Sequence, residues 1–144
     1  MLWDGGSVER VTGRDGAGVD VREVRRRVRR EVERHGAAPV DLGDVDLMVS
    51  EIATNALRYT ASGHEGGGVR VAVRSVADRF RVEITDDGGA VTLPVVKAVA
   101  TDEWTTSGRG LAMVAALSDC WGFDGAAGGP VTVWFEIERQ KGAE

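Results

Sequence analysis

Apolar residues recur along the chain with two different periods, which predict helices in some segments and strands in others. Val21, Val24, Val28 and Val32 are separated by steps of three and four residues, so they form one stripe on a helical cylinder. A second helix is predicted from about Asp41 to Tyr59. Its apolar face carries Val45, Met48, Val49, Ile52, Ala53 and Ala56. These two segments therefore read as amphipathic helices that pack on a common core.

The segment after the second helix changes to a period of two, which is typical of strands. Apolar and charged residues alternate on both sides of a turn at Asp78. One face of this predicted hairpin consists of Val69, Val71, Val73, Phe80, Val82 and Ile84. The hairpin should accordingly have one buried face and one charged face.

The remaining segments complete the predicted sheet. We expect an edge strand over Ser7–Thr12, a short helix over Gly110–Leu117, and closing strands over Cys120–Asp124 and Val131–Glu138. The pattern contains no internal repeat and no linker. We therefore expect a single α+β domain over residues 1–144, with its core at about 21–138 and its helices on one sheet face.

Composition excludes several classes of protein. The 144 residues carry 18 Lys+Arg and 23 Asp+Glu, a net charge of −5, and 42% are hydrophobic, too many for a disordered chain. No apolar run approaches the roughly 18 residues that span a bilayer, and the single cysteine, Cys120, excludes an internal disulfide. We expect a cytoplasmic protein without a membrane or direct nucleic-acid partner, because phosphate binding requires surplus cations.

The first predicted helix has an unusual charge, because seven arginines lie between Arg22 and Arg34. One interpretation is a solvated basic face. A second is a docking surface for an acidic protein partner. Nucleic acid is the third, but the other charges of the chain oppose it and no aromatic residues lie between the arginines.

Three other segments contain polar residues that the fold alone does not require. Glu51, Asn55 and Arg58 share one flank of the second helix, and could serve as base, metal ligand and phosphate contact or simply be solvated. The strand end Asp86–Gly89 reads as a turn, yet Asp86 falls on the core-facing side, where a carboxylate needs a partner. That partner could be a purine amine or an internal hydrogen bond. The hydroxyls and glycines of Thr105–Leu111 precede a helix, either as a capped loop or as a phosphate site.

The order and spacing of these segments resemble a known family. Glu51-x-x-x-Asn55, then Asp86-x-Gly88, then Gly108-x-Gly110-Leu111 are similar to the N, G1 and G2 boxes of the GHKL ATPases. Within them, the chain looks like the small bacterial anti-sigma-factor serine/threonine kinases. This resemblance implies a two-layer sandwich with a mostly antiparallel mixed sheet and about three helices on one face.

The resemblance also implies a site for ATP and Mg²⁺. Glu51 would be the general base, Asn55 would hold Mg²⁺, and Arg58 would contact phosphate. Asp86 would accept from the adenine amine, with Gly88 close to the base and Thr132 nearby. The remaining implied phosphate contacts are Gly108, Arg109, Gly110 and Leu111. The segment between Gly89 and Ser107 would form a lid over the nucleotide.

The implied function is transfer of the ATP γ-phosphate to a serine or threonine of an anti-anti-sigma-type protein, sequestration of a sigma factor, or both. The Arg22–Arg34 helix would contact the partner, and the family leads us to expect a homodimer. Two alternatives stay open: an ATP-binding partner-switching module without turnover, and a detached histidine-kinase catalytic domain. Ala90 and Tyr59 depart from the family pattern, which carries a second glycine and more often a histidine at these places.

Overall fold

A computed structural model describes residues 8–13, 18–36, 41–76, 78–90, 94–95 and 109–138. In chain order, its elements are β1 (Val8–Thr12), α1 (Val21–Arg34), α2 (Leu42–Tyr59), a 3₁₀ turn (Ala61–Gly63), β2 (Gly68–Val76), β3 (Arg79–Thr85), β4 (Pro94–Val95), β5 (Arg109–Gly110), α3 (Ala112–Leu117), β6 (Cys120–Gly125) and β7 (Val131–Glu138). The predicted edge strand, two long helices, hairpin and closing strands are therefore confirmed.

Five strands form the main sheet in the order β1-β2-β3-β7-β6, and every neighbouring pair in it is antiparallel. Its hairpin pairs Val73 with Val82, so the alternating apolar positions of both strands face the same side. The prediction of a mostly antiparallel sheet is therefore confirmed. Among the described strands, parallel pairing occurs between β4 and β5, which form a separate two-stranded ribbon.

The core lies between one face of the sheet and the helices. Val28 of α1, Met48 of α2, and Phe80 and Phe135 of the sheet are all fully buried and belong to one cluster. The predicted valine stripe of α1 is thus the side that packs against the sheet. The helices lie on one face of the sheet, as the sequence predicted.

The helix ends follow from local chemistry. Asp20 and Asp41 cap α1 and α2 by accepting hydrogen bonds from backbone N–H groups of the first turn. Gly36 follows α1 with φ of +80°, the left-handed conformation that glycine adopts without strain.

The third helix begins later than the sequence predicted. Arg109 and Gly110 pair with Pro94 and Val95 as strands, and α3 begins at Ala112. The apolar spacing of this segment is correct for a helix, but the backbone of Gly110, its first predicted residue, is used in the β4–β5 ribbon. Periodicity cannot detect that choice, because a strand pair of this kind depends on residues distant in sequence.

In the part of the chain that the structure describes, the other face of the sheet carries an ionic network and no helix. The Arg81 guanidinium lies 3.9 Å from the ring centroid of Trp134 and donates to Glu83 and Glu136, each at 2.9 Å. Burial raises the pKa of Glu136, but hydrogen bonds from Arg81, Cys120 and Arg79 outweigh it and leave that pKa below its ordinary value. The charged face predicted for the hairpin is therefore largely paired within the sheet.

Candidate functional site

Asp86 lies directly after β3 and is buried, with 5% of its surface exposed. Its Oδ1 atom accepts hydrogen bonds from the backbone N–H groups of Gly88, at 2.8 Å, and Val131, at 3.2 Å. These bonds satisfy part of the demand of a buried carboxylate and set its direction. The predicted core-facing position of Asp86 is confirmed, and internal hydrogen bonds are one source of its stabilisation.

Gly88 occupies a position that no other residue fits without distortion. Its φ is +85°, and a Cβ atom there would lie 2.9 Å from the carbonyl carbon of Gly129 and from the nitrogen of Pro130. Its carbonyl accepts from the N–H of Ala61 at 2.8 Å, which joins the turn to the end of α2. The glycine therefore allows close packing of three backbone segments.

The residue between these two, Asp87, makes hydrogen bonds to three distant parts of the chain. It accepts two hydrogen bonds from Arg10, at 2.9 and 3.0 Å, and one from the N–H of Gly68 at 2.9 Å. Its own N–H donates to Ser62 Oγ at 2.9 Å. The hydrogen bond from Arg10 holds the pKa of the Asp87 carboxyl below its ordinary value. The sequence predicted a turn at Asp87 and contained no signal for these contacts, because they join residues that are distant along the chain.

Glu51 joins α2 to the start of α3. Its Oε1 atom accepts from the N–H groups of Met113, at 3.0 Å, and Val114, at 3.1 Å. These are unpaired donors of the first turn of α3, so the carboxylate acts as a cap supplied by another helix. Burial raises the pKa of Glu51 above its ordinary value, although both backbone hydrogen bonds act in the opposite direction.

Asn55 and Arg58 follow Glu51 along the same helix. Asn55 is partly exposed, whereas Arg58 is exposed, with its guanidinium 5.7 Å from the ring centroid of Tyr59. All three predicted polar residues thus lie on α2, which contacts α3 through Glu51 and ends beside the Asp86–Gly88 turn. This helix is the common support of the candidate site.

The predicted phosphate loop is described only from residue 109 onward. Gly108 lies outside the described residues, as does most of the predicted lid. Arg109 and Gly110 take part in the β4–β5 pairing, and Leu111 is buried with 1% of its surface exposed. The side chain of Leu111 therefore belongs to the core, so only its backbone could meet a ligand.

Thr132, predicted to lie near the adenine, belongs to β7. Its hydroxyl is 2.7 Å from that of Thr85, its partner in the β3–β7 pairing. Both residues belong to the alternate set whose neighbours Ile84 and Val133 face the core. Thr132 consequently lies on the ionic face of the sheet. The neighbouring backbone, at Val131, is what meets Asp86.

A separate cleft of about 490 Å³ lies between β1 and α1. Its described lining includes Arg10, Asp20, Glu23, Arg26 and Arg27, and none of the predicted nucleotide contacts. Arg10 is the residue that this cleft shares with the environment of Asp87. The cleft is therefore distinct from the candidate site but connected to it.

Comparison with protein families identifies the chain. A family model described as histidine kinase-like ATPase domain matches residues 17–134, which include every predicted contact. This chain belongs to that family. The assignment confirms the GHKL resemblance, and it covers both the Glu51 helix and the Asp86 turn.

Individual proteins that resemble this chain have low sequence identity to it. The chain is 29% identical over 96 residues to the serine-protein kinase RsbW of Bacillus pumilus (strain SAFR-032), an alignment that spans 60% of this chain and 59% of RsbW. The fold is similar to the catalytic domain of histidine kinase ThkA, with a TM-score of 0.54 at 13% identity over 93% and 97% of the two chains. It is also similar to full-length ShkA in complex with AMPPNP, with a TM-score of 0.53 at 23% identity. This similarity covers 89% of this chain and 32% of the ShkA chain.

These likenesses support a kinase-like ATPase domain of the GHKL type as the class of this chain. At their levels of identity, the two histidine kinases show the fold alone. Within the described residues, no helix has the length and apolarity needed to cross a membrane.

Proposed function

We propose that this chain is an ATP- and Mg²⁺-dependent regulator of the anti-sigma-factor type, which transfers the ATP γ-phosphate to a serine or threonine of an anti-anti-sigma-type partner. Sequestration of a sigma factor is a second part of the same proposal. One observation carries it: the half-buried Glu51 carboxylate, with a raised pKa, sits where α2 meets the start of α3. Transfer to a hydroxyl needs a general base at this place, in addition to the cap that Glu51 provides for α3.

The proposed adenine contact is Asp86. A carboxylate accepts hydrogen bonds on both oxygens, so its chemistry matches the donor groups of an adenine amine. The bonds from Gly88 and Val131 hold Asp86 in place before a ligand arrives. Pre-organisation of this kind lowers the entropy lost on binding.

The proposed phosphate and metal contacts lie farther along the site. Mg²⁺ is often bound by one or two protein oxygens together with substrate phosphates and water. Asn55 offers such an oxygen, and no group of three or more potential metal-ligating His, Cys, Asp or Glu side chains occurs among the described residues. Arg58 and the backbone of Gly108–Leu111 complete the proposed phosphate contacts.

The two carboxylate oxygens of Glu51 can have different roles, one structural and one chemical. Both of its described hydrogen bonds involve Oε1, and neither involves Oε2. We assign Oε2 to accept the proton of the attacking hydroxyl while α3 holds Oε1. The hydroxyl oxygen then forms its bond to the γ-phosphorus as the bond from that phosphorus to the ADP oxygen breaks. A raised pKa brings a carboxylate nearer to the range useful for a general base.

The proposed partner surface on α1 is narrower than the arginine count suggests. Five of its seven arginines donate to described side chains: Arg25 to Ser50, Arg26 to Glu23, Arg27 to Glu9, Arg29 to Asp46 and Arg34 to Glu31. Arg22 and Arg30 are exposed and make no side-chain ion pair within the described part of the chain. They are the residues we propose for contact with an acidic partner, in a homodimeric protein.

A capture experiment with and without Mg²⁺ and ATP tests this function. The wild-type chain should phosphorylate its captured partner on serine or threonine, which is stable to acid. Phosphohistidine would support the detached histidine-kinase alternative instead. Binding of ATP and partner without any phosphorylation would support the partner-switching module.

A further inference from the structure

An ion pair joins the edge strand to the middle of the proposed nucleotide segment. Arg10 Nη1 and Nη2 donate to Asp87 Oδ1 and Oδ2, at 2.9 and 3.0 Å. Two parallel bonds fix the orientation of a carboxylate as well as its charge. Because Asp87 lies between Asp86 and Gly88, this contact ties the turn to the edge strand β1.

Asp87 receives support from three parts of the fold. The N–H of Gly68 at the start of β2 and Ser62 after α2 each contribute one hydrogen bond, and Arg10 contributes two. Arg10 is the charged member of this set and lies 77 residues away in sequence. Arg70, directly opposite Arg10 in the β1–β2 pairing, acts on Asp87 through its charge and makes no described hydrogen bond to it.

We propose that Arg10 is a positioning residue for nucleotide binding. It holds Asp87 and thereby supports the turn in which the bonds from Gly88 and Val131 orient the Asp86 carboxylate, without touching the nucleotide itself. This inference rests on the proposed function in taking ATP as the ligand. A turn held in its binding conformation loses less entropy when the ligand arrives, so the contribution should be seen in affinity.

Titration calorimetry with ADP and ATP on the full chain tests the inference. Arg10→Gln should weaken nucleotide affinity by about three- to tenfold, the range expected for an ordinary hydrogen-bond contribution, because this ion pair is partly exposed. Asp87→Asn should have a similar effect, and the double variant should lose little more, because the two residues act as one unit. Arg70→Gln is the matched control, since it removes the same charge from the neighbouring strand, and its effect should stay below about twofold.

The pH dependence of affinity separates positioning from a general effect on stability. The hydrogen bond from Arg10 is the main cause of the low pKa of Asp87. In wild type, Asp87 therefore stays ionised well into the acid range. In Arg10→Gln, its pKa returns toward the ordinary value, so the loss of affinity in acid should begin at a higher pH.

The outcomes are distinct. Arg10→Lys, which retains the charge, should recover part of the affinity and part of the pH profile even if Arg10→Gln folds poorly. A folded Arg10→Gln that binds ADP as tightly as wild type at every pH would overturn the inference and leave the proposed function intact. Failure of the wild-type chain to bind either nucleotide would overturn both.

Discussion

The Oε1 atom of Glu51 accepts a hydrogen bond from the backbone N–H of Val114 at 3.1 Å, which ties the middle of α2 to the first turn of α3. The neighbouring N–H of Met113 makes the same contact at 3.0 Å. The proposed base is therefore also a structural cap. The two roles can be separated by experiment, because they use different properties of the side chain.

Glu51→Gln and Glu51→Ala separate these roles in stability. Glutamine retains an oxygen that can accept from α3, whereas alanine retains none. We expect Glu51→Ala to lower the free energy of unfolding by about 1 kcal/mol, the usual cost of removing a helix cap. Glu51→Gln should cost less than half of that in urea unfolding. Equal losses for the two variants would contradict the capping role.

Phosphoryl transfer should depend on pH through Glu51. A general base must be deprotonated, so kcat/KM should fall as the pH decreases through the pKa of Glu51. Burial raises that pKa, so the fall should begin at a higher pH than for an exposed glutamate. Fixed-time phosphorylation assays across the acid range give the pH profile of kcat/KM. ATP affinity measured over the same range is the control. A profile that stays flat below the ordinary pKa of glutamate would exclude Glu51 as the base.

Asp86→Asn tests the proposed adenine contact. Asparagine keeps an oxygen for the N–H groups of Gly88 and Val131, so the fold should be retained. Loss of the charge-assisted bond to adenine should weaken ATP and ADP binding by about 10- to 100-fold in calorimetry. Unchanged affinity in a folded variant would rule out this adenine site.

Gly88→Ala should be much more costly than Gly128→Ala. Both glycines have positive φ, of +85° and +90°. A Cβ at Gly88 would meet Gly129 and Pro130 at 2.9 Å, whereas nothing lies within 4 Å of one at Gly128. We expect about 1 kcal/mol of destabilisation at Gly128 from conformation alone, and at least about 3 kcal/mol at Gly88. Thermal or urea unfolding measures both, and similar losses would contradict the packing described for Gly88.

The exposed arginines of α1 can be tested against a paired one. Arg22→Gln and Arg30→Gln should each weaken partner binding by about two- to fivefold at low salt, as expected for exposed interface charges. Arg26→Gln is the control, since this arginine already pairs with Glu23 at 2.8 Å. Surface plasmon resonance at two salt concentrations would measure the effect. An equal effect of all three substitutions would indicate a general charge effect instead of a defined contact.

Local patterns were sufficient to predict most of the fold. The valine stripe of α1 and the alternation of β2 and β3 encode which side is buried, and both are properties of neighbouring residues. The inward position of Asp86 followed from the same alternation. The order of the three boxes indicated the family even though each box is individually weak.

The missed features depend on contacts between distant residues. The Arg10–Asp87 pair spans 77 positions, and the Glu51–Met113 contact spans 62. The face of the sheet on which Thr132 lies is a matter of register, because on a strand a shift of one residue exchanges the two faces. The alternation of Val131 and Val133 as buried positions indicates that Thr132 faces the other side.

The most direct test of the central claim compares wild type with Glu51→Gln in phosphate transfer from ATP to the captured partner. We predict phosphoserine or phosphothreonine with wild type and at least a hundredfold lower rate with Glu51→Gln, as expected for loss of a general base. Both proteins should bind ATP with similar affinity. Full transfer by Glu51→Gln, or no transfer by a wild-type chain that binds both ATP and partner, would contradict the account.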